Sequence, residues 1–326
     1  MSRNEKPAGW VRRLWRDIYW YREDRRIRTE YRGVRHLVFF GGHGLGDEVM
    51  VSTVLHELRQ RGGQGLGVMT TVPELFANSP YVDAVKPIRH DHTSFFERVG
   101  IRADPLYYIH RQLPPDIDVP PPRHLLAEMC RLAGITGEVA LRPYVFLTER
   151  EKGAARRTRP FVVLQSSRRS ASLRIGNKEW IPERIQAVAD ALAAHHEILQ
   201  VGLQADPAIA GAVDLRGRLT LRETAAVLYH AQVFVGLVGF LMHLARSVDC
   251  PAVIIYGGRE HPGQSGYSAN ENLFTPLPCS PCWRWNSCDY DHLCMTSITV
   301  EAVLAATQRI MARPRDSLVV DRAATD

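Results

Sequence analysis

Two segments of this sequence are rich in residue types that can take part in proton transfer or metal binding. The first is FFGGHGLGDEVM, residues 39–50, in which a short apolar run is followed by glycines and then by an acidic residue, Asp47. The second is PCSPCWRWNSCDYDHLC, residues 278–294, which holds four of the six cysteines in the chain. A carboxylate fixed at the start of a helix suits a base that takes a proton from a hydroxyl, and clustered thiolates suit a metal ion.

The glycine segment departs from two familiar phosphate-binding motifs. Gly41 and Gly46 have P-loop spacing, but Asp47 stands where that motif requires lysine, and a carboxylate there would repel phosphate. The glycines do not form the dinucleotide fingerprint either, and no acidic residue ends the next predicted strand. We therefore interpret Asp47 either as a proton acceptor facing a cleft or as a simple helix cap. Gly44 and Gly46 would form a loop that a ligand can approach closely.

The second segment belongs to a cysteine-rich loop, residues 278–295, with an unusual spacing. Its thiols follow the pattern C-x2-C-x5-C-x5-C: Cys279, Cys282, Cys288 and Cys294. Because a reducing compartment disfavours disulfides, a structural zinc or iron ion is one interpretation, with His292 as a substitute ligand. Disulfides and free thiols stay open as alternatives. Trp283 and Trp285 could stack on an acceptor sugar or simply cover the loop.

Alternating apolar and amphipathic runs predict the elements that must position these residues. Before residue 147 they predict strands at 36–40, 66–70, 82–88 and 106–110, and helices at 47–61 and 124–133. After residue 160 they predict strands at 161–165, 198–201, 233–235 and 252–256, and helices at 182–195, 221–229, 241–248 and 300–311. Thr220 and Glu223 predict a capping box. Such series indicate an α/β protein with two doubly wound, Rossmann-like parallel sheets that face a cleft.

Composition sets the expected domain organisation and excludes several classes of protein. The chain has 326 residues, of which 45% are hydrophobic, and this suggests two domains. We expect one domain at 34–150 and another at 151–326, joined by a polar linker at 147–160. Residues 1–35 carry the whole formal excess charge of +6, so the body is no nucleic-acid binder. Lacking a membrane-spanning run or a secretory signal, the chain is expected to be cytoplasmic.

The N-terminal segment, residues 1–33, is both basic and aromatic. Its residues Val11, Leu14, Trp15 and Ile18 recur at helical spacing with arginines between them. This pattern is typical of helices that lie on anionic membrane surfaces, here the cytoplasmic face of the inner membrane. A helix that packs its aromatic face on the protein, or that forms an oligomer contact, remains an alternative.

Further motifs follow the glycine segment in an order that resembles a known family. They are PELFANSPYVDAV (73–85), KEWIPERIQAVADAL (178–192), DLRGRLTLRETAAVL (214–228) and FVGLVGFLMHLARSVDCPAVIIYGG (234–258). Together with strand–GLGD–helix, the sequence resembles glycosyltransferase family 9, the bacterial heptosyltransferases, over residues 34–312. The resemblance implies the GT-B fold, with an acceptor-side domain at 34–150 and a nucleotide-sugar-binding domain at 151–326. Gly44 and Gly46 would form the acceptor-side loop. It also implies inverting transfer of a sugar, such as a heptose, from a nucleotide diphosphate donor to a cell-envelope glycan or glycolipid such as lipopolysaccharide.

The resemblance also implies roles for individual residues. Asp47 would be the base on the acceptor hydroxyl, Lys178 would contact the donor phosphate, and His243 would lie near the diphosphate. No cofactor is implied for catalysis, because Lys178, arginines and helix N-termini can bear the charge of the departing diphosphate.

The chain departs from the family pattern at the donor site. The family triplet D-(S/T)-G is replaced by Val238, Gly239 and Phe240, and Phe240 is expected to narrow the site. Gly236 and Gly239 would still offer backbone N–H groups to the diphosphate. Where the family has Pro-Gly, this chain has Ser166 and Ser167, followed by Arg168 and Arg169. Their hydroxyls and guanidiniums are candidate replacements for the lost phosphate contacts.

These departures favour an alternative, a non-catalytic GT-B protein that binds a nucleotide sugar or glycan and carries a metal-stabilised cysteine knot. The retained Asp47 and Lys178 favour the enzyme.

Overall fold

Parallel β-sheets organise the chain, as the alternating sequence pattern predicts. The structure, a computed structural model, describes residues 9–40, 44–88, 93–108, 116–167, 174–315 and 318–326. The first sheet is formed by the parallel strands β1 (His36–Phe39), β2 (Leu66–Thr70), β3 (Ala84–Pro87) and β4 (Arg102–Pro105), in the order β3-β2-β1-β4. The elements around it are α1 (Gly9–Glu30), α2 (Leu45–Gln60), a 3-10 helix (Pro73–Phe76), α3 (Thr93–Arg98), α4 (Leu125–Leu132) and β5 (Glu138–Ala140).

The second sheet is also parallel within the described residues. Its strands are β6 (Phe161–Leu164), β7 (Glu197–Gln200), β8 (Val213–Asp214), β9 (Val233–Leu237), β10 (Ala252–Gly257) and β11 (Glu271–Phe274), in the order β11-β10-β9-β6-β7-β8. The helices with it are α5 (Glu149–Ala155), a 3-10 helix (Gly176–Lys178), α6 (Pro182–Ala193), α7 (Leu221–His230), α8 (Phe240–Ser247), α9 (Pro262–Ser265), α10 (Leu293–Thr296) and α11 (Val300–Met311). Strands β6, β9 and β10 are buried along their whole length, because helices cover both faces of the sheet.

Apolar helix faces join the elements of the two sheets. Helix α2 packs on α8, and side chains from both contribute to one continuous hydrophobic core. The last strand, β12 (Arg322–Ala324), returns to the first half of the chain and pairs antiparallel with β5. These contacts place the start of α2 against the start of α8, where the carboxyl ends of parallel strands form a cleft.

The sequence pattern was least informative at the sheet edges. The strand predicted at 106–110 is wrong in the described residues: β4 is Arg102–Pro105, and Leu106–Tyr108 follow it without regular structure. As an edge strand, β4 carries polar side chains and a proline, so it lacks the apolar signal of a central strand. Strand β11 is likewise a half-buried edge strand. The polar linker 147–160 contains α5, which begins with a capping box between Thr148 and Glu151.

Helix α1 is packed at one end and exposed at the other. Ile27 and Tyr31 are buried at its C-terminal end, and the Trp20 ring packs on Phe95 with centroids 5.0 Å apart. Towards the N-terminus, large apolar side chains are exposed: Leu14, Trp15, Ile18, Tyr19 and Tyr21. Among the described residues, no helix has both the length and the apolar composition required to cross a membrane.

Candidate active site

The Asp47 carboxylate lies in the first turn of α2, at the cleft. The helix begins after Gly44, so Asp47 is its third residue and not its N-cap residue. Asp47 Oδ1 accepts a hydrogen bond from the Tyr108 hydroxyl. A Cβ atom on Gly44 would collide with Asp47 Oδ2, so the glycine allows this oxygen to pack directly against the backbone.

The surroundings of Asp47 tune its acidity. Burial raises the pKa of the Asp47 carboxyl to about 6, against the lowering effects of the Tyr108 hydrogen bond and the Lys178 charge. The carboxylates of Glu48 and Glu260 raise it further. A base with a pKa just below neutrality is mostly ionised at pH 7 and still accepts a proton readily.

Lys178 is held in a buried ion pair. It ends the 3-10 helix Gly176–Lys178, and its Nζ contacts Glu260 Oε1. Burial alone would raise the pKa of Glu260, but the charges of Lys178 and Arg259 outweigh it and lower the pKa to about 2. Ser265 Oγ donates to Glu260 Oε2 at 2.7 Å. Glu260 is therefore an ionised partner of the predicted phosphate-binding lysine.

Sequence reasoning missed both Glu260 and Tyr108. Glu260 follows β10, and an acidic residue at the carboxyl end of a parallel strand was the available signal. Tyr108 lies just beyond the edge strand β4, and nothing in its local sequence ties it to Asp47.

His243 of α8 lies against Gly46, which was predicted to lie in a loop but is the second residue of α2. A Cβ atom on Gly46 would lie 2.8 Å from His243 Cδ2 and 3.4 Å from Phe240 Cα, so glycine permits this approach of α2 to α8. His243 Nδ1 lies 2.6 Å from the Tyr267 hydroxyl oxygen. Burial lowers the pKa of His243 to about 3, so the imidazole is neutral. The structure thus brings His243 beside the Asp47 turn, as a hydrogen-bonding group without charge.

The serines predicted near the donor phosphates are buried and engaged. Ser166 Oγ donates to the Pro207 carbonyl oxygen at 2.6 Å and accepts from Gln200 Nε2 at 2.9 Å. Ser167 Oγ donates to Glu179 Oε2 at 2.7 Å, next to Lys178. In this arrangement the two hydroxyls stabilise the strand end and the Lys178 segment. Arg168 and Arg169 lie outside the described residues.

The two glycines predicted to offer backbone N–H groups occupy different positions. Gly239 is the N-cap residue of α8, with φ 154°, directly before Phe240. Gly236 lies inside β9, where it is paired with Ile254 of β10. The helix start is therefore at Gly239, while the backbone of Gly236 lies within the sheet.

The cysteine-rich loop converges on one cavity. The four thiols line a space of about 370 Å³ together with other loop residues: Cys279, Cys282, Cys288 and Cys294. Burial, followed by the charges of the other three, raises the pKa of the Cys294 thiol. All six cysteines are free thiols, and among the described residues no three Cys, His, Asp or Glu side chains are arranged as a metal site. Trp283 is buried, with Arg259 over its ring at 5.0 Å.

The same loop holds the segment that carries Lys178. Asn177 N–H donates to the Trp285 carbonyl oxygen, and Asn177 Nδ2 donates to the Ser287 carbonyl oxygen, both at 2.9 Å. His292 Nε2 lies 2.9 Å from Asn177 Oδ1. On its other side the loop is bound by Asp116, whose carboxylate accepts from the backbone N–H of Ser287 at 2.7 Å. The cysteine-rich loop therefore fixes Asn177 beside the buried ion pair.

Comparison with known proteins identifies the family. A family model described as glycosyltransferase family 9 (heptosyltransferase) matches residues 125–290, more than half of the chain. The chain belongs to glycosyltransferase family 9. Lipopolysaccharide heptosyltransferase 3 of Escherichia coli is 36% identical over 72 residues, which cover 22% of this chain. The chain matches 20% of the length of each of the curated relatives reported for it.

Solved structures establish the GT-B fold for this family 9 chain. The iron-containing dodecameric glycosyltransferase TibC of enterotoxigenic E. coli H10407 gives a TM-score of 0.65 at 18% identity, over 85% of this chain and 76% of TibC. The E. coli ADP-heptose lps heptosyltransferase II gives a TM-score of 0.62 at 14% identity, and the match covers 85% of this chain and 98% of the heptosyltransferase II chain. At these identities the likeness concerns the fold, and the predicted pair of parallel sheets facing a cleft is confirmed.

Proposed function

We propose that this family 9 chain is a glycosyltransferase that moves a sugar, with inversion, from a nucleotide diphosphate donor to a cell-envelope glycan or glycolipid. The main observation in support is that Asp47, with a pKa of about 6, lies near the cationic Lys178, whose charge acts on it. Residues 34–150 would form the acceptor side, and residues 151–326 the donor side.

In the proposed reaction, Asp47 is the base and Lys178 bears the charge of the leaving group. The acceptor hydroxyl gives its proton to the Asp47 carboxylate as its oxygen forms a bond to the anomeric carbon. The bond from that carbon to the diphosphate oxygen breaks, and its electron pair leaves with the nucleoside diphosphate. Lys178 neutralises the negative charge that develops on the diphosphate. Attack opposite the leaving group inverts the anomeric centre.

Donor and acceptor are proposed by analogy with named relatives. A solved neighbour is an ADP-heptose heptosyltransferase, so ADP-heptose is the first donor to test. A curated relative is a lipopolysaccharide heptosyltransferase, which supports a lipopolysaccharide-type glycolipid as acceptor. The exposed aromatic and basic end of α1 would hold the protein at the cytoplasmic face of the membrane that contains such an acceptor.

A structural metal ion is proposed for the cysteine-rich loop. The support is that four thiols, a ligand type that zinc and iron prefer, line one cavity. In the described residues no three of them are arranged as a metal site, so binding would have to draw them together. TibC, which shares the fold, is iron-containing. Cys279, Cys282, Cys288 and Cys294 would hold the ion. It would cross-link the loop and would supply no chemistry to the transfer.

The decisive experiment follows ADP release and the anomeric configuration of the product. With ADP-heptose and a lipopolysaccharide acceptor, the enzyme should release ADP only when both substrates are present, and the new linkage should be inverted. The non-catalytic alternative predicts ADP-heptose binding by calorimetry without acceptor-dependent ADP release. It has less support, because a binding protein has no need of a half-buried base tuned to about pH 6.

A further inference from the structure

The contact between Tyr108 and Asp47 joins two parts of the chain at the cleft. Tyr108 lies three residues beyond β4, and its hydroxyl donates to Asp47 Oδ1. Its ring packs on Phe40, a fully buried residue directly after β1, with ring centroids 5.9 Å apart. The Tyr108 ring is therefore held by a buried residue at the end of β1, outside α2.

Tyr108 keeps its proton under all conditions in which the protein would work. Burial, followed by the negative charge of Asp47, raises the pKa of the Tyr108 hydroxyl well above its ordinary value. A phenol that cannot ionise is a hydrogen-bond donor to a carboxylate. Because this hydrogen bond favours the charged form, it opposes the effect of burial on Asp47.

The hydrogen bond also leaves the two carboxylate oxygens unequal. Tyr108 engages Oδ1, whereas Oδ2 packs against Gly44, where a Cβ atom would collide with it. A base needs an oxygen that the acceptor hydroxyl can reach, and a carboxylate that rotates freely would present neither oxygen reliably. The Tyr108 hydrogen bond and the close approach to Gly44 hold the carboxylate in one orientation.

Other ionisable groups near Asp47 have different partners. Glu48 accepts from the Thr70 hydroxyl at 2.9 Å, and Glu260 is paired with Lys178. The Lys178 charge lowers the pKa of Asp47, the two glutamates raise it, and His243 is neutral. Tyr108 acts on Asp47 through a directed hydrogen bond, which the two glutamates, as acceptors, cannot supply.

We propose that Tyr108 is a positioning residue for the proposed transfer, holding the Asp47 carboxylate by Oδ1 in one orientation and stabilising its ionised form. The proposal rests on the proposed function of Asp47 as a base. It extends that function to a residue whose type and spacing gave no indication of it.

The test is the Tyr108→Phe variant, which removes the hydroxyl and keeps the ring on Phe40. We expect the acidic limb of the pH profile of kcat/KM to move up by about one pH unit, because a hydrogen bond to a charged group is lost. The KM for the donor should not change. The matched control is Tyr107→Phe, since the exposed Tyr107 also packs on Phe40 at 5.9 Å but has no part in this hydrogen bond. An acidic limb at the wild-type position in Tyr108→Phe would overturn the proposal.

A second measurement separates this proposal from the proposed function. Carbon-13 NMR of the Asp47 carboxyl, assigned by its absence in Asp47→Asn, reports the titration whether or not transfer occurs. Tyr108→Phe should raise the titration midpoint, and Tyr107→Phe should leave it unchanged. If Asp47→Asn retains full transfer, the proposed function of Asp47 fails while the NMR still tests the contact. An unshifted midpoint in folded Tyr108→Phe would overturn the positioning role.

Discussion

Lys178 Nζ and Glu260 Oε1 form an ion pair in which the two side chains are only 12% and 4% exposed. The predicted phosphate-binding lysine thus already has an anionic partner at the cleft. A donor diphosphate that binds Lys178 must share it with Glu260. Loss of Glu260 should therefore change both the free energy of unfolding and the stabilisation that a bound donor provides.

Replacing Glu260 with glutamine should destabilise the ligand-free protein and increase the rise in Tm that ADP causes. Leaving Lys178 buried without its anionic partner should lower the free energy of unfolding by about 3 kcal/mol. A bound diphosphate would supply the missing negative charge, so ADP should raise the Tm of Glu260→Gln more than that of the wild type. Thermal unfolding with and without ADP measures both effects.

The control for Glu260→Gln is Glu149→Gln. Glu149 pairs with Lys152 at 2.8 Å but is 88% exposed. Its replacement should therefore change neither the free energy of unfolding nor the rise in Tm that ADP causes. Equal ADP-induced shifts in Glu260→Gln and the wild type would contradict the idea that diphosphate and Glu260 share Lys178.

Asp47→Asn should abolish transfer and stabilise the fold. Loss of a positioned base is expected to lower kcat by about 10²–10⁴-fold, with ADP affinity retained. The folded-state pKa of about 6 lies above the ordinary aspartate value, so the folded state binds more protons and stability falls as pH rises between about 4 and 6. Asparagine carries no charge to bury, so Asp47→Asn should raise the free energy of unfolding by about 2 kcal/mol at pH 7.

Two pH series check the Asp47 prediction. The stability difference between Asp47→Asn and the wild type should vanish below about pH 4, where both side chains are neutral. Wild-type kcat/KM should fall as pH drops through about 6, because the base becomes protonated. Transfer by Asp47→Asn at the wild-type rate would show that another group takes the proton.

The central elements of the fold could be predicted from sequence because burial leaves a local pattern. Strand β2 (Leu66–Thr70) and helix α11 (Val300–Met311) have the predicted bounds, and the capping box of Thr220 and Glu223 is confirmed. The edge strands β4 and β11 were missed, since a half-buried edge carries polar residues and has no continuous apolar run.

The site was predictable only where its chemistry follows a motif. Asp47 and Lys178 belong to segments with recognisable spacing, and the structure places them at one cleft. Tyr108 and Glu260 reach that cleft through sheet topology, from the ends of β4 and β10. Contacts of this kind depend on the order of strands in the sheets, which local sequence does not encode.

The exposed end of α1 should bind anionic membranes. Leu14 and Trp15 are 51% and 66% exposed, and the helix around them is basic. The double variant Leu14→Ser, Trp15→Ser should lose most cosedimentation with vesicles that contain phosphatidylglycerol, and salt should weaken wild-type binding. Leu203→Ser, which removes an exposed apolar residue elsewhere, is the control.

Two outcomes would refute membrane binding by α1. Unchanged cosedimentation of the double variant would show that this face does not contact lipid. A change in oligomeric mass, with no vesicle binding by the wild type, would favour the oligomer contact. Truncation of the whole helix is a poorer test, because Ile27 and Tyr31 are buried and their loss would disturb the fold.

The cysteine-rich loop should bind a metal ion that supports donor binding. Protein purified under reducing conditions should contain about one zinc or iron per chain, and Cys282→Ser should lose it. Because the loop fixes Asn177 beside Lys178, chelation should weaken ADP binding more than adenosine binding. Cys130→Ser, which removes a buried thiol outside the loop, should keep the metal. Elemental analysis measures the metal content, and calorimetry measures the ADP affinity. Metal-free protein with reactive loop thiols and undiminished ADP affinity would contradict both parts of the prediction.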